Sequence, residues 1–314
     1  MKKWIYCILA LLIIGCYTFY TAVCMDKVIQ TSSGPFVWQG RSVKEFFQVL
    51  FKKKNPKISV IVASYNYARF LPRTLDSLVN QTYKNFEVIV VDDGSKDNSV
   101  EIIKEYVKKY PTIVRFYQHE NGINKGLPAT VQLAFSKTTG DYIAFLESDD
   151  YWDLNHLQEK VNLINFYADP VIISNNVHLF GNEKIVANTK IYLTQSANFA
   201  KSRQYFSLNQ IQANPIPTFS VLMVKKEALE KLDFNTPVPR LFDFWLCFPL
   251  LLRYPVYYIP LPLTHWYRHA DGFFNRAGDE AIQKDFKTFG RAISKHPQNK
   301  YFCRQDICYK LLFK

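Results

Sequence analysis

Short apolar runs alternate with amphipathic stretches after Pro56, and this alternation constrains the fold more than any other feature of the chain. The apolar runs cover residues 58–63, 86–91, 112–118 and 141–146. Apolar residues recur at helical spacing between them, in 71–79, 100–107 and 127–137. Strands that alternate with helices of this length indicate βαβ units. The sequence therefore predicts an α/β domain with a Rossmann-like, mostly parallel sheet flanked by helices.

Length and composition fit one large domain or roughly two domains. The chain has 314 residues, of which 48% are hydrophobic and 21% charged, so a disordered chain is excluded. After residue 150 the pattern is less regular, and it predicts helices over 154–167, 225–232 and 243–253 and strands over 170–174 and 218–224. We expect this half to continue the same domain.

The N-terminal segment predicts a membrane anchor over residues 1–25. Residues 4–25 contain no charged side chain, and Lys2 and Lys3 precede them. Twenty-two helical residues span about 33 Å, enough for a bilayer core. A cleaved signal peptide is the alternative interpretation. The lysines favour a cytoplasmic N-terminus, although the opposite flank is also basic.

Residues 26–56 are predicted to form a linker. Within it, residues 43–54 fit either a short basic amphipathic helix on an anionic leaflet or a solvated segment. The net charge of +12 suggests an anionic partner. Nucleic acid is not expected, because no basic run carries interleaved aromatic residues. The six cysteines lack a CxxC pair and are predicted to be reduced thiols.

Polar residues follow three of the predicted strands. They are Ala63–Asn66 after the first strand, Asp92–Ser95 after the second and Glu147–Asp150 after the fourth. Ligands of open α/β sheets bind at the carboxyl ends of strands. The adjacent carboxylates repel one another, and a divalent cation with oxygen ligands would compensate them. Turn and helix-capping chemistry is the alternative explanation.

The ordered segments ISVIVASYN, FEVIVVDDGSKDNS, HENGINKG and GDYIAFLESDDYW resemble family 2 glycosyltransferases with the GT-A fold. The resemblance covers residues 57–270 and leaves 271–314 as a basic, helical C-terminal extension. It implies transfer of a sugar from a nucleotide-diphosphate donor, often UDP-linked, with inversion at the anomeric carbon. The acceptor would be a hydroxyl of a glycan or a lipid-linked sugar in surface polysaccharide synthesis.

The resemblance also implies functional residues. Donor-binding positions are Ala63, Tyr65, Asn66, Asp92, Asp93, Lys125, Glu147 and Arg268. The Mn²⁺ or Mg²⁺ positions are Asp149, Asp150 and His269, with Asp149 as the preferred ligand. His265 is the alternative to His269. Glu147 stands where the family usually has Asp, which is a mild departure.

Asp243 is the predicted catalytic base, since the segment LFDFWL matches the family's Asp ahead of a Trp-containing helix. Its position between Phe242 and Phe244 favours partial desolvation, which raises the pKa of a carboxyl. An ordinary helix-terminal Asp is the alternative. The family often has another acid before this Asp, and here that acid is missing.

Two other functions are weighed. A non-catalytic glycosyltransferase-like protein would bind nucleotide sugar or act as a scaffold, but the retained Asp243 and acidic cluster favour the enzyme. A dinucleotide oxidoreductase needs GxGxxG after the first strand, and SYNYARF contains no Gly. We expect a membrane-anchored bacterial enzyme whose catalytic domain faces the cytoplasm, because the bacterial pool of nucleotide sugars is cytoplasmic. The basic residues on both flanks of the anchor leave its orientation open.

Overall fold

A computed structural model describes residues 54–167, 169–194, 204–206, 216–272 and 278–295. The predicted anchor over 1–25 and the linker up to residue 53 lie outside these ranges, as do five of the six cysteines. Cys247 is the described cysteine, and it is a buried free thiol. Within the described part of the chain, every helix is too short or too polar to cross a membrane.

The first half has the predicted βαβ order. It comprises β1 (Ile58–Ser64), α1 (Leu71–Val79), β2 (Phe86–Asp92), α2 (Ser99–Lys109), β3 (Val114–Gln118), α3 (Leu127–Ser136) and β4 (Tyr142–Phe145). The four strands pair in parallel in the order β3-β2-β1-β4. All seven residues of β2 are buried, as expected for a central strand covered on both faces. The prediction for this half is confirmed.

The second half completes a mixed sheet. Its elements are β5 (Tyr151–Trp152), α4 (His156–Tyr167), β6 (Ile172–Gly181), α5 (Glu183–Thr194), β7 (Gln204–Phe206), β8 (Met223–Lys225), α6 (Lys226–Leu229), α7 (Phe242–Arg253), β9 (Val256–Arg268) and α8 (Asp279–Lys295). Strand β8 is antiparallel to β4 and β6, and β9 is parallel to β6 but antiparallel to β5 and β7. The expectation of a mostly parallel sheet is therefore wrong beyond β4. The direction of a strand depends on the segment that connects it to its neighbour, and the apolar pattern of the strand does not indicate that direction.

Two apolar clusters cover the two faces of the sheet. Ile61 and Ile89 belong to one cluster, whereas Val60 and Val88 belong to the other, because alternate residues of a strand point to opposite faces. The first cluster also contains Phe289 of α8, which has 0% exposure. Helix α8 thus packs on the domain through its apolar side.

Glu87 anchors the edge of the sheet opposite the polar strand ends. Its carboxylate accepts hydrogen bonds from Ser59 Oγ (2.6 Å) and Thr139 N (2.7 Å) and pairs with Lys57 Nζ (3.0 Å) and Arg115. Burial alone would raise the pKa of Glu87, but the hydrogen bonds from Ser59, Thr139 and Lys57 lower it to about 2. A carboxyl with a lowered pKa stabilises the fold above its unfolded pKa near 4.5 and loses that effect as the pH falls toward 2.

We expect Glu87→Gln to lower the free energy of unfolding at pH 7 by about 3 kcal/mol, because it leaves buried donors facing a neutral amide. Urea unfolding would measure the loss at pH 7 and again near pH 3, where the difference from the parent should shrink. Glu101→Gln, at an exposed position of α2, is the control. A loss of equal size at both pH values would contradict this assignment.

Candidate active site

A cavity of about 1030 Å³ lies at the carboxyl ends of the parallel strands. Residues after β1, β2 and β4 form its floor, as the polar strand ends predict. Its other walls come from α5, the first turn of α7, the end of β9 and α8. Elements from both halves of the chain therefore enclose one space.

The acidic segment after β4 divides its side chains between the cavity and the interior. Glu147 and Asp149 line the cavity, whereas Asp150 is fully buried and does not line it. The Asp150 carboxylate accepts hydrogen bonds from Tyr267 N (2.9 Å) and Ser220 Oγ (2.6 Å). The prediction of Asp150 as a metal ligand does not fit this geometry, because its carboxylate is buried away from the cavity and hydrogen-bonded within the protein.

Two hydroxyl residues that sequence reasoning missed hold this acidic segment. Thr218 Oγ1 donates to Glu147 Oε2 at 2.6 Å, and the Ser220 hydroxyl donates to Asp150 while accepting from Glu147 N at 3.0 Å. Thr218 precedes the 3₁₀ turn Phe219–Val221, and Ser220 lies within this turn, which leads into β8. Their role follows from the antiparallel pairing of β8 with β4, which the sequence pattern did not reveal.

Removing the Ser220 hydroxyl should destabilise the domain. We expect Ser220→Ala to cost about 1–3 kcal/mol, because the buried Asp150 carboxylate loses a donor that water cannot replace. A thermal scan would record this as a fall in Tm of several degrees, at about 2–4 °C per kcal/mol for a domain of this size. Ser136→Ala, at an exposed hydroxyl of α3, should leave the Tm unchanged. Equal Tm values for both variants would remove Ser220 from this role.

Asp149 forms a close pair with His269. His269 Nε2 lies 2.9 Å from Asp149 Oδ2, and both side chains line the cavity. The imidazole stacks on Tyr267 with ring centroids 4.8 Å apart. His265, the alternative, instead contacts Asp153 at 2.8 Å and stacks on Tyr151, and it does not line the cavity. The geometry therefore favours His269.

Arg73 of α1 supports this pair and was not predicted. Its guanidinium lies over the rings of Tyr151, Phe180 and Tyr267, at 4.7, 4.8 and 5.4 Å from their centroids. It also donates to the backbone oxygen of Asp149 at 3.1 Å. Arg73 thus contacts both the Asp149 backbone and the ring on which His269 stacks. Nothing in the local sequence of α1 distinguishes this arginine from a surface residue.

The Asp149–His269 pair is compatible with a divalent cation. Among the described residues, no three His, Cys, Asp or Glu side chains converge as a complete ligand set. Mg²⁺ in phosphate-binding sites is often held by one or two carboxylates together with substrate phosphates, so a partial protein set is the expected arrangement. Burial, followed by the Asp149 charge, raises the pKa of Glu147 to about 8.

Arg268 supplies positive charge to the cavity near the acidic segment. Its side chain lines the cavity, stacks on Trp266 at 4.4 Å and donates through Nε to Thr189 Oγ1 at 3.1 Å. Burial lowers the pKa of Arg268, while the nearby carboxylates of Glu147, Asp150 and Asp149 raise it. Trp266 and Thr189 thus fix the Arg268 guanidinium in a position where it can contact an anionic ligand in the cavity.

Of the donor-binding residues predicted after β1 and β2, some line the cavity and others do not, as in the acidic segment. Ala63, Tyr65 and Asp93 line the cavity. The Asp93 carboxylate accepts hydrogen bonds from the backbone N–H groups of Lys125 (2.7 Å) and Gly126 (2.9 Å). Asp93 is therefore fixed in position at the edge of the cavity.

Three other predicted donor contacts do not line the cavity. Asp92 is fully buried and accepts from Gly94 N (3.1 Å) and Ser95 N (2.9 Å), so it shapes the turn after β2. The Asn66 side chain accepts from Lys96 N at 2.7 Å, and the Lys125 side chain is exposed outside the cavity. Asp92 and Asn66 have turn functions, because polar side chains close to a strand end also satisfy the backbone there.

Asp243 lies in the first turn of α7, in the cavity wall. Its Oδ1 accepts a hydrogen bond from Phe244 N at 2.8 Å. Burial raises the pKa of Asp243 from 3.8 to about 6. A carboxylate of this basicity in a cavity is suited to accept a proton near neutral pH.

Comparison with known proteins identifies the family. The model described as Glycosyl transferase family 2 matches residues 59–232. An uncharacterized glycosyltransferase of Nostoc sp. is 32% identical over 184 residues, covering 58% of this chain and 55% of the relative. One from Methanocaldococcus jannaschii is 25% identical over 264 residues, covering 82% of this chain and 86% of the relative. The match thus spans about half the length of the Nostoc relative.

Solved structures share the fold. TarS of S. aureus, residues 1–349 in complex with UDP, has a TM-score of 0.56 at 18% identity, covering 77% of this chain and 66% of that one. The mannosyltransferase of Pyrobaculum calidifontis in complex with GDP-Man and Mn²⁺ also has a TM-score of 0.56 at 18% identity, covering 81% and 68%. At these identities the likeness concerns the fold alone.

Proposed function

This chain belongs to glycosyl transferase family 2, and from that premise we propose that it transfers a sugar from a nucleotide-diphosphate donor to a hydroxyl acceptor with inversion. The observation that carries the proposal is one cavity shared by Asp243, with its raised pKa, and the Asp149–His269 pair. These are the two elements such a transfer needs, namely a proton acceptor and a place for a diphosphate.

The proposed reaction is a single displacement. The acceptor hydroxyl oxygen forms a bond to the anomeric carbon, while the bond from that carbon to the diphosphate oxygen breaks. Asp243 takes the hydroxyl proton, and the nucleoside diphosphate leaves with the electron pair. Because attack and departure occur on opposite faces of the sugar, the configuration inverts. The transition state is oxocarbenium-like, as in glycoside chemistry generally.

The leaving group needs compensation for its growing negative charge. Arg268 lies in the cavity wall near Glu147 and Asp149 and would contact an anionic group there. Asp149 and His269 would hold a divalent cation, Mn²⁺ or Mg²⁺, which when bound stabilises the charge of the departing diphosphate. Ala63, Tyr65 and Asp93 are proposed to contact the nucleotide, since they line the cavity at the ends of β1 and β2.

The rate of transfer should depend on pH through Asp243. The base acts when deprotonated, so a pKa of about 6 predicts that kcat rises as the pH increases through 6 and levels off above it. Three other titratable or charged groups lie near Asp243. They are Glu147 of the acidic segment, Cys247 of α7 and Arg240, which precedes α7. Initial rates at saturating donor would give the profile. A flat profile across this range would exclude Asp243 as the titrating base.

Calorimetric titration tests the donor half of this proposal. The purified protein would be titrated with UDP, GDP and their sugar conjugates, with and without Mn²⁺. Mn²⁺-dependent binding of one nucleotide diphosphate is the expected result. Failure of a folded protein to bind any of them would favour a non-catalytic, glycosyltransferase-like protein.

We also propose that the full chain is anchored in a bacterial inner membrane with this domain cytoplasmic, acting in surface polysaccharide synthesis.

A further inference from the structure

Helix α8 forms the wall of the cavity beside Asp243. Ile282 and Phe286, which are four residues apart and therefore on one face of the helix, line the cavity. Residue 282 and all later residues lie beyond the match to the family model, which ends at 232.

Two contacts hold α8 against the start of α7. Arg240 Nε, three residues before the base, lies 2.5 Å from Asp285 Oδ2. Phe244, the residue after the base, contacts Phe286 with ring centroids 6.2 Å apart. Phe289, one helical turn further, is fully buried among Phe244, Trp245 and Phe248. The apolar face of α8 is therefore fixed within one turn of Asp243.

The surface around the base on this side is apolar. Pro239 and Phe244 join Ile282 and Phe286 in this part of the cavity wall, whereas α5 contributes Asn188 and Thr189 as well as Ile185. Arg240, the charged group of the same wall, is paired with Asp285. Free sugars are recognised through many hydroxyl groups, and these apolar side chains offer them no hydrogen-bonding partners. An acceptor with an attached apolar group would bury that group here.

The outer side of α8 is basic. Lys284, Lys287 and Arg291 are exposed at spacings of three and four, which places them on one face of the helix. Among the described side chains of α8, the exposed acidic one is Glu280, in the first turn. The apolar face packs on the domain, so the exposed Lys and Arg side chains are the part of α8 that an anionic lipid surface would attract. The charges of α8 therefore agree with an acceptor that resides in such a surface.

We propose that α8 selects an amphiphilic acceptor, a sugar or other hydroxyl-bearing head group on an alkyl chain, whose chain lies against Ile282 and Phe286. This inference rests on the proposed function, because it assigns the acceptor side of the same cavity. The sugar head group would approach Asp243, and the chain would leave along α8 toward the membrane surface.

The test compares binding of n-octyl β-glucoside and methyl β-glucoside below the micelle concentration to the full-length protein saturated with nucleotide. We expect the octyl compound to bind at least about tenfold more tightly, because burial of several methylene groups favours it. Phe286→Ala should weaken octyl binding about tenfold and leave methyl glucoside binding unchanged. Ile282→Ala is the second variant, in case Phe286→Ala does not fold.

The control is Phe166→Ala, which removes a 73% exposed aromatic ring of α4 outside the cavity and should change neither affinity. Equal affinities of the two glucosides, or equal octyl affinities of Phe286→Ala and Phe166→Ala, would overturn the inference. Nucleotide binding is measured separately in every variant. If the parent protein bound no nucleotide, the proposed function would be overturned instead. Failure of the proposed function is therefore distinguishable from failure of the inference about α8.

Discussion

Asp243→Asn is expected to reduce kcat by about 10²–10⁴-fold while leaving nucleotide affinity within twofold of the parent protein. The asparagine retains the size of the side chain and can still accept the hydrogen bond from Phe244 N. It cannot take a proton from the acceptor hydroxyl, so the loss falls on the chemical step. Donor consumption under saturating conditions would measure kcat, and calorimetry would measure affinity for the nucleotide.

Asp233→Asn is a suitable control for this variant. Asp233 is also a carboxylate near α7 whose Oδ1 accepts a backbone hydrogen bond, from Asn235 N at 2.9 Å, but it does not line the cavity. It should retain the parent kcat. If Asp243→Asn lost nucleotide binding together with transfer, Asp243 would belong to the donor pocket, and the base would have to be another group.

The first half of the domain was predictable because its signals are local. Strands β1, β2 and β4 are short buried apolar runs, and the parallel direction of each strand from β1 to β4 follows from the helix that connects it to the next. The sequence also located the acidic segment, which follows a predicted strand, and the resemblance to family 2 glycosyltransferases pointed to Asp243. These features need no knowledge of distant contacts.

The second half was less predictable because its pairings are nonlocal. Strand β8 has three residues, and its position between β4 and β6 depends on contacts about 80 and 50 residues away. As a result, the contacts of Thr218 and Ser220 with the acidic segment were invisible in the sequence. Arg73 was missed for the same reason, since its three aromatic partners come from β5, β6 and β9.

The sequence also could not separate ligand contacts from turn contacts within one motif. Asp92 and Asp93 are adjacent and chemically identical, yet Asp92 is buried in the turn and Asp93 lines the cavity. Asp149 and Asp150 divide in the same way. Neighbouring residues on an extended segment point in opposite directions, and the burial of one of them is decided by the element that packs against it.

The second large effect concerns Asp149. Asp149→Asn should weaken Mn²⁺-dependent nucleotide binding at least about 100-fold, because a neutral amide is a poor ligand for a hard cation and removes one charge from the cluster. Titration of UDP and GDP in the presence and absence of Mn²⁺ would show the parent's metal dependence disappearing. Circular dichroism would establish that the variant remains folded, as expected for a side chain on the cavity surface.

The chain itself provides a matched control in Asp153→Asn. Asp153 and His265 form a second carboxylate–imidazole pair, at 2.8 Å compared with 2.9 Å for Asp149 and His269, but outside the cavity. If cation binding required only an Asp–His contact, the two variants would behave alike. We expect Asp153→Asn to bind nucleotide and Mn²⁺ as the parent does, because the Asp153–His265 pair lies outside the cavity and away from Glu147 and Arg268. Unaltered Mn²⁺ dependence in Asp149→Asn would instead move the cation site away from the segment after β4.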